Sequence, residues 1–389
     1  MTREVLSVEA RRKPCVMLVG PWPPTQGGVT TYMLNVAGSQ LADQYEFLRF
    51  STSRPLKHKL SRAYGYRAMF RAGLYGFCVS AFTTLWHVLK FPFAVLIRKP
   101  DVVQVQASDF QAFWESALYV GMCRVMGAPV LMRIGGSFDH FYNSSSGRAR
   151  ALIRRVLSWP DRLIVQAECW ADFVRACGRK SGIVVAPNAV ADAFTSITPR
   201  REKSEAVCLF VAGTEAIWKG AEEVIAAIHI LRANGNSVRF RILAASDDLK
   251  LRFENEGLTD IARLDGFVER SGVIEAMRES DIFLLPSHGE GFPNSLLEAM
   301  AAGLAAIVTP VGAVPEIVDQ SCAVIVPVKD AKALASAIEG LARDQARRGQ
   351  IASAGRARIL VRFVQGAVLP VLGEAWRSLL DQRSNRPTA

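Results

Sequence analysis

Between Glu46 and Asp101 the chain has no acidic side chain, while ten Lys and Arg fall in the same window. None of the seven cysteines (Cys15, Cys78, Cys123, Cys169, Cys177, Cys208, Cys322) forms a CxxC pair, and their number is odd. A set so scattered excludes a disulfide framework and a cysteine-bound zinc, and a reducing cytosol is the expectation. The opening residues MTREVLSVEARRKP lack the apolar core of a signal peptide and read as a short disordered lead-in. No internal repeat or low-complexity tract occurs. A membrane-spanning helix needs about 20 apolar residues. The longest such stretch, GLYGFCVSAFTTLWHVLKFPFAVLI at 73–97, is interrupted by His87, Lys90 and Pro92. An interfacial or core helix pair is expected there instead of a span.

What is present points to two domains: 389 residues, half of them hydrophobic, are too many for one compact core. The charge is uneven. Residues 1–195 hold 24 Lys and Arg against 12 Asp and Glu, whereas the remainder holds 23 against 24. Basic residues beside aromatic and aliphatic groups favour an anionic membrane surface, by charge attraction and shallow burial. Nucleic acid is not expected, because no recognisable binding module accompanies the charge.

Short apolar runs alternate with helical patterns along the chain. CVMLVG (15–20), VVQVQ (102–106), VLMRI (130–134), RLIVQ (162–166) and GIVVAPN (182–188) read as buried parallel strands. After a charged connection, TPRREKSE at 198–205, the pattern restarts with CLFVAG (208–213), RFRIL (239–243), DIFLLP (281–286), AAIVTP (305–310) and AVIVP (323–327). The pattern predicts an α/β fold of two doubly wound Rossmann-like domains, 1–197 and 198–389, with ligands in the crevice at the strands' C-terminal ends. The last helix is expected to pack back on the first domain.

Within SHGEGFPNSLLEAMAAG (287–303), a turn leads into a helix. Pro293 suits the first helical turn, Asn294 or a neighbour can cap it, and Gly303 suits the stop. The first amides of that helix have no internal partner and point into the crevice, an anion site matched to a phosphate or diphosphate. Glu298 lies about one turn further in, where a carboxylate can accept two hydrogen bonds from a vicinal diol such as a ribose. Glu290, before the helix, faces whatever lies beyond the phosphates, and a sugar bearing hydroxyls suits it.

EGFPNSLLEAMAAGLAAIVTPVGAVPEIV resembles the nucleotide-sugar signature of retaining glycosyltransferases of GT-B architecture, specifically glycosyltransferase family 4. Three further stretches are similar to that family. They are the Gly27–Gly28 loop in PWPPTQGGVTTYMLNVA, the APNAV turn at 186–190, and VAGTEAIWKG, which places Gly213 and Lys219 before a helix. The resemblance implies a nucleotide-diphosphate sugar as donor substrate, no other cofactor and no metal; no Asp-x-Asp occurs to bridge a metal to a diphosphate. It implies Glu290 and Lys219 as catalytic residues, and Glu298, Gly291, Phe292, Pro293, Asn294, Gly213, Thr214, Gly27 and Gly28 as donor-binding. It further implies retention of configuration, with the leaving group taking the acceptor's proton. Asn188 reads as mainly structural.

Two positions depart from the family pattern. Thr214 stands where Arg is usual, removing one of two cations on the diphosphate. LMRIGGSFDHFY at 131–142 resembles the loop that holds the donor sugar or acceptor, but no His precedes its glycines. Arg133, Gly135, Gly136 and His140 are the candidates there, with Arg133 facing a phosphate or an acidic sugar. The expected acceptor is a saccharide, lipid-linked, used in surface polysaccharide synthesis at the inner face of a cytoplasmic membrane. A nucleotide-sugar epimerase of the same architecture and a catalytically silent membrane-bound scaffold are the alternatives.

Overall fold

A computed structural model describes residues 12–25, 27–53, 73–108, 110–198, 205–213 and 215–384. The lead-in up to residue 11, most of the charged connection (199–204) and Thr214 lie outside the described residues. Two six-stranded sheets form, every pair parallel. In the first, the strands are β1 (Cys15–Gly20), β2 (Glu46–Ser51), β3 (Val102–Ala107), β4 (Val130–Ile134), β5 (Arg162–Val165) and β6 (Ile183–Val185), in the order β2-β1-β3-β4-β5-β6. In the second they are β7 (Ala206–Val211), β8 (Val238–Leu243), β9 (Ala262–Leu264), β10 (Ile282–Leu285), β11 (Ala305–Val308) and β12 (Val324–Ile325), in the order β12-β11-β10-β7-β8-β9.

These residues form central parallel strands because both faces are covered, so unbroken apolar runs are the stable solution. In the first sheet, Met17, Val105, Met132 and Val165 pack under the helices Phe110–Val125, Gly147–Leu157 and Glu168–Ala176. Val16, Leu18, Leu131 and Ile164 face the opposite way, under Gly28–Ala37 and the terminal helix Gln365–Ser384. That terminal helix crosses back from the second sheet. Trp376 is fully buried, donates its indole N–H to Gln104 Oε1 at 2.8 Å, and meets Tyr45 edge-on at 5.0 Å.

Two strands were not anticipated. Edge strand β2, EFLRFS, is largely exposed, and β9 has only three residues. Strand β6 ends at Val185, short of Pro187, which has no N–H to continue a ladder.

The stretch at 73–97 is also corrected: it is not a helix pair but one helix, Gly73–Arg98, running through Pro92. Its segment Cys78–Arg98 is long and apolar enough to cross a membrane by length and composition, with mean hydropathy 1.4. One side nonetheless belongs to the first domain: Ser80, Thr83, Phe91 and Val95 are buried, and Phe91 lies 5.1 Å from Phe50 and 4.8 Å from Tyr119. The other side is an exposed stripe of Phe82, Leu85, Trp86, Leu89, Phe93 and Leu96. From Phe82 to Leu85 or Trp86, and on to Leu89, Phe93 and Leu96, steps of three and four residues follow one helical face.

The domains meet through loops at the C-terminal ends of their strands. Asn188 Nδ2 donates to Phe292 O at 3.1 Å, Trp170 Nε1 to Gly291 O at 2.9 Å, and Arg270 to Asn35 Oδ1 at 2.8 Å. Glu316 accepts from the first amides of Glu168–Ala176 (Glu168 N at 2.8 Å, Cys169 N at 2.7 Å), so a carboxylate of one domain caps a helix of the other.

Candidate functional site

The core of the site is the unit made by β10, the turn after it and the helix Asn294–Ala301. Glu290 is 6% exposed, and its Oε1 accepts from Ser287 Oγ at 2.6 Å and from Lys219 Nζ at 2.7 Å. Lys219 reaches it from the loop after β7, 71 residues earlier in the chain. Gly220 makes that approach possible: its φ is +86°, and a Cβ there would stand 2.2 Å from Pro286 O. The loop is stitched to the turn by Trp218 Nε1 donating to Gly289 O at 3.0 Å and His288 N donating to Trp218 O at 2.8 Å. His288 also pairs with Glu223 at 2.9 Å. The two residues assigned catalytic roles are therefore brought together as a largely shielded ion pair, each neutralising the other.

Beyond the turn, the helix Asn294–Ala301 begins after Pro293 with no side-chain cap. The expectation that Asn294 caps it is corrected: its amide reaches across to Gly28 O at 3.3 Å. The unsatisfied first amides remain available to an anion. Gly303 has φ +84°, the left-handed stop expected of it. Glu298 is half-buried, and desolvation lifts its carboxyl to about pH 7 against the opposing pull of Arg270. Phe292 contributes its backbone to the turn, while its ring is 7% exposed and packs on Phe363 at 5.7 Å. Gly213, two residues past the end of β7, has φ +66° and open space where a Cβ would stand.

On the facing side, Gly136 abuts the turn so closely that a Cβ on Gly291 would lie 2.6 Å from Gly136 O. Gly135 N donates back to Ala107 O at 2.8 Å, which holds the 135–137 loop against the end of β3. Gly27 precedes the helix Gly28–Ala37 and is exposed. His140 is exposed and its ring is tilted against that of Trp218 with centroids 5.1 Å apart, so the two domains share an aromatic contact at the crevice mouth. Phe110 joins it, 6.1 Å from His140, with φ +50°, a strained value for an aromatic residue. Arg133 lies at the crevice end of β4 but beneath its surface. It is 2% exposed, its guanidinium stacks 3.7 Å over the Tyr32 ring, and Nη2 donates to Asn188 Oδ1. Burial lowers its pKa from the ordinary arginine range, with Tyr32 opposing.

Sequence reasoning did not single out Trp218, Ser287, Arg270 or Phe110. A tryptophan directly before the Lys-Gly pair was the one available signal; the others become visible only when distant segments meet.

Residues 205–344 match the family model described as Glycosyl transferases group 1. Among curated relatives, the amylovoran biosynthesis glycosyltransferase AmsK of Erwinia amylovora is 31% identical over 166 residues, 40% of this chain and 41% of that protein. Others are named for capsule, lipopolysaccharide and lipid-linked saccharide synthesis. The chain spans about half the length of the curated relatives it matches. Among solved structures, a sucrose-phosphate synthase from Thermosynechococcus elongatus superposes with TM-score 0.76 at 18% identity, covering 95% of this chain and all of that one. The Anabaena protein HepE in complex with UDP and glucose does so with TM-score 0.70 at 13% identity, covering 93% and 99%. At these identities the likeness establishes the fold, the GT-B arrangement of two facing Rossmann-like domains.

Proposed function

We propose, for a chain whose residues 205–344 form a glycosyl transferases group 1 domain, that it moves a sugar from a nucleotide-diphosphate donor to a hydroxyl of a saccharide acceptor. The observation that carries this reading is the Glu290–Lys219 pair set beside an uncapped helix N-terminus and Glu298. The donor lies along the unit: ribose on Glu298, diphosphate over the free amides of Asn294–Ala301, sugar hydroxyls on Glu290. In the free protein Lys219 is neutralised by Glu290. A bound diphosphate takes the ammonium over, and Glu290 is left to accept from the sugar. Transfer retains configuration: the acceptor oxygen attacks the face from which the diphosphate departs, and the leaving phosphate oxygen takes the acceptor's proton. Lys219 and the helix amides stabilise the charge that develops on the leaving group, the kind of preorganised electrostatics that dominates many enzyme rate enhancements. No metal or further cofactor is invoked.

Complexes of HepE with UDP and with UDP-glucose support a nucleotide-sugar donor for this fold. The names of the relatives support surface polysaccharide as the product class and, in one case, an undecaprenyl-diphosphate-linked acceptor. A lipid-linked acceptor also suits the stripe on Gly73–Arg98, which is flanked by exposed Lys90, Arg98 and Lys99. We place that stripe against an anionic bilayer surface, lying in the interface while its other side stays in the core. The epimerase and silent-scaffold alternatives gain no support from these relatives.

The test is nucleoside diphosphate release and sugar transfer by purified Glu290→Gln and Lys219→Ala proteins. Both are expected to fold and to lose transfer; wild-type rates in both would refute the assignment.

A further inference from the structure

The crevice end of the first sheet holds polar groups that the donor site does not use. Gln106 on β3 and Arg133 on β4 are register partners, so they stand side by side on one face. Next to them β1 ends in Gly20, where a Cβ would come 3.1 Å from Gln106 and 3.3 Å from Met33. Thr30, one helical turn before Met33, shares that helix face. All three side chains are more than nine-tenths buried: Arg133 is 2% exposed, Thr30 4% and Gln106 6%. Yet among the described residues Arg133 Nε, Thr30 Oγ1 and both amide atoms of Gln106 have no hydrogen-bond partner.

Single atoms of Trp22, Glu223 and Asn236 also lack a partner among the described residues, but only here do three such side chains lie together, and two neighbours are fully satisfied. Gln104, two residues earlier on the same face of β3, is satisfied at both ends, donating to Tyr32 OH at 3.2 Å and accepting from Trp376 at 2.8 Å. Arg179, the other buried arginine of this domain, donates to five backbone carbonyls. Arg133 has no ion pair with a carboxylate among the described residues. A buried group left unpaired costs about 1–3 kcal/mol, so several together at a crevice end mark a place where a ligand supplies the missing partners. Guanidinium, amide and hydroxyl donors beside one amide acceptor complement an oxyanion next to a hydroxyl.

We propose that Arg133, Gln106 and Thr30 form a subsite for an acidic saccharide group, a carboxylate or a phosphate, on one of the two transfer substrates. This rests on the glycosyltransferase reading above. Asn188 links the subsite to the donor turn, since it accepts from Arg133 and donates to Phe292 O.

The experiment separates the two possible sources. Calorimetry compares UDP-glucuronate with UDP-glucose and GDP-mannuronate with GDP-mannose. It then compares glucose 1-phosphate and glucuronate with glucose, each with and without nucleoside diphosphate. An acid preference among the sugar nucleotides assigns the subsite to the donor; a preference among the free sugars assigns it to the acceptor. Gln106→Met is expected to lower the preferred affinity by about tenfold, to leave nucleoside diphosphate binding unchanged, and to keep or raise Tm, because no partner within the protein is lost. Arg133→Lys, which keeps the charge but loses the planar fork, is expected to weaken the same preference.

The proposal is overturned if no acid is preferred in any arm, or if Gln106→Met lowers Tm while binding stays the same. Wild-type protein that binds no nucleoside diphosphate would count against the donor reading instead, and the free acids would still test the subsite.

Discussion

The two halves of the molecule carry the same six-stranded parallel sheet and end it differently. At the crevice end of the second sheet, Lys219 is paired with Glu290, His288 hydrogen-bonds one oxygen of Glu223, and Glu298 feels the charge of Arg270. At the crevice end of the first, Gln106 and Arg133 carry unpaired atoms, and Gly27 and Gly136 leave backbone exposed. The outer surfaces differ too, since the apolar stripe of Gly73–Arg98 belongs to the basic half. On the proposed reading, the contrast follows from what each half would have to read. A nucleoside diphosphate is chemically constant, so a site for it can be built from fixed charges. An acceptor and a membrane surface vary, so a half that meets them would keep exposed apolar area and unsatisfied donors.

If that division holds, the largest effect comes from breaking the second sheet's pair. Lys219→Ala and Glu290→Gln should each lower transfer by about 10²–10³-fold, the scale of removing one transition-state stabiliser, while vesicle binding stays unchanged. Next is the stripe. Replacing Phe82, Trp86 and Phe93 together by Ser should lower partition onto anionic vesicles by about 100-fold or more, since each buried aromatic contributes about 1.5–3 kcal/mol. Nucleoside diphosphate affinity should not change. If the triple variant sediments like wild type, the stripe is not the docking face.

A smaller effect concerns Glu298. Its carboxyl, lifted to about pH 7, is favoured in the protonated form on folding. This group's contribution to stability is therefore present below its ordinary 4.5 and lost as pH rises through about 7. A ribose diol selects the carboxylate, so nucleoside diphosphate affinity should run the opposite way and rise by about tenfold between pH 6 and 8. Glu298→Gln should flatten that rise; a slope unchanged in the variant would assign the titration elsewhere. Smallest is Trp218→Ala, which removes the ring contact with His140 and the bond to Gly289 O. Aromatic contacts of this kind are worth about 0.5–1.5 kcal/mol, so a loss of about three- to tenfold in transfer is expected. Trp218→Phe should recover part of it.

The same contrast explains what was legible in the sequence. Central strands stood out because burial on both faces writes them as unbroken apolar runs, as in CVMLVG or VLMRI. Edge strand β2 escaped because EFLRFS is solvated, and β9 because three residues carry no period. The interruptions at His87, Lys90 and Pro92 in the 73–97 stretch suggest a helix pair, yet one helix runs through all three. The strand-turn-helix unit around Glu290 was readable as local structure because its turn, helix start and Glu298 lie within a dozen residues. Its partners were not: Lys219 meets Glu290 across 71 residues, and the depth at which Arg133 sits follows from Tyr32 and Asn188 closing over it. Short-range patterns record local geometry, while burial and pairing depend on segments brought together by the fold.

The account turns on Lys219 exchanging one anion for another. Calorimetric titration of UDP and GDP into wild-type and Lys219→Ala protein tests this most directly. One nucleoside diphosphate per chain, bound about tenfold more weakly or worse by the variant, is the predicted result. Equal affinity in the two proteins would contradict it.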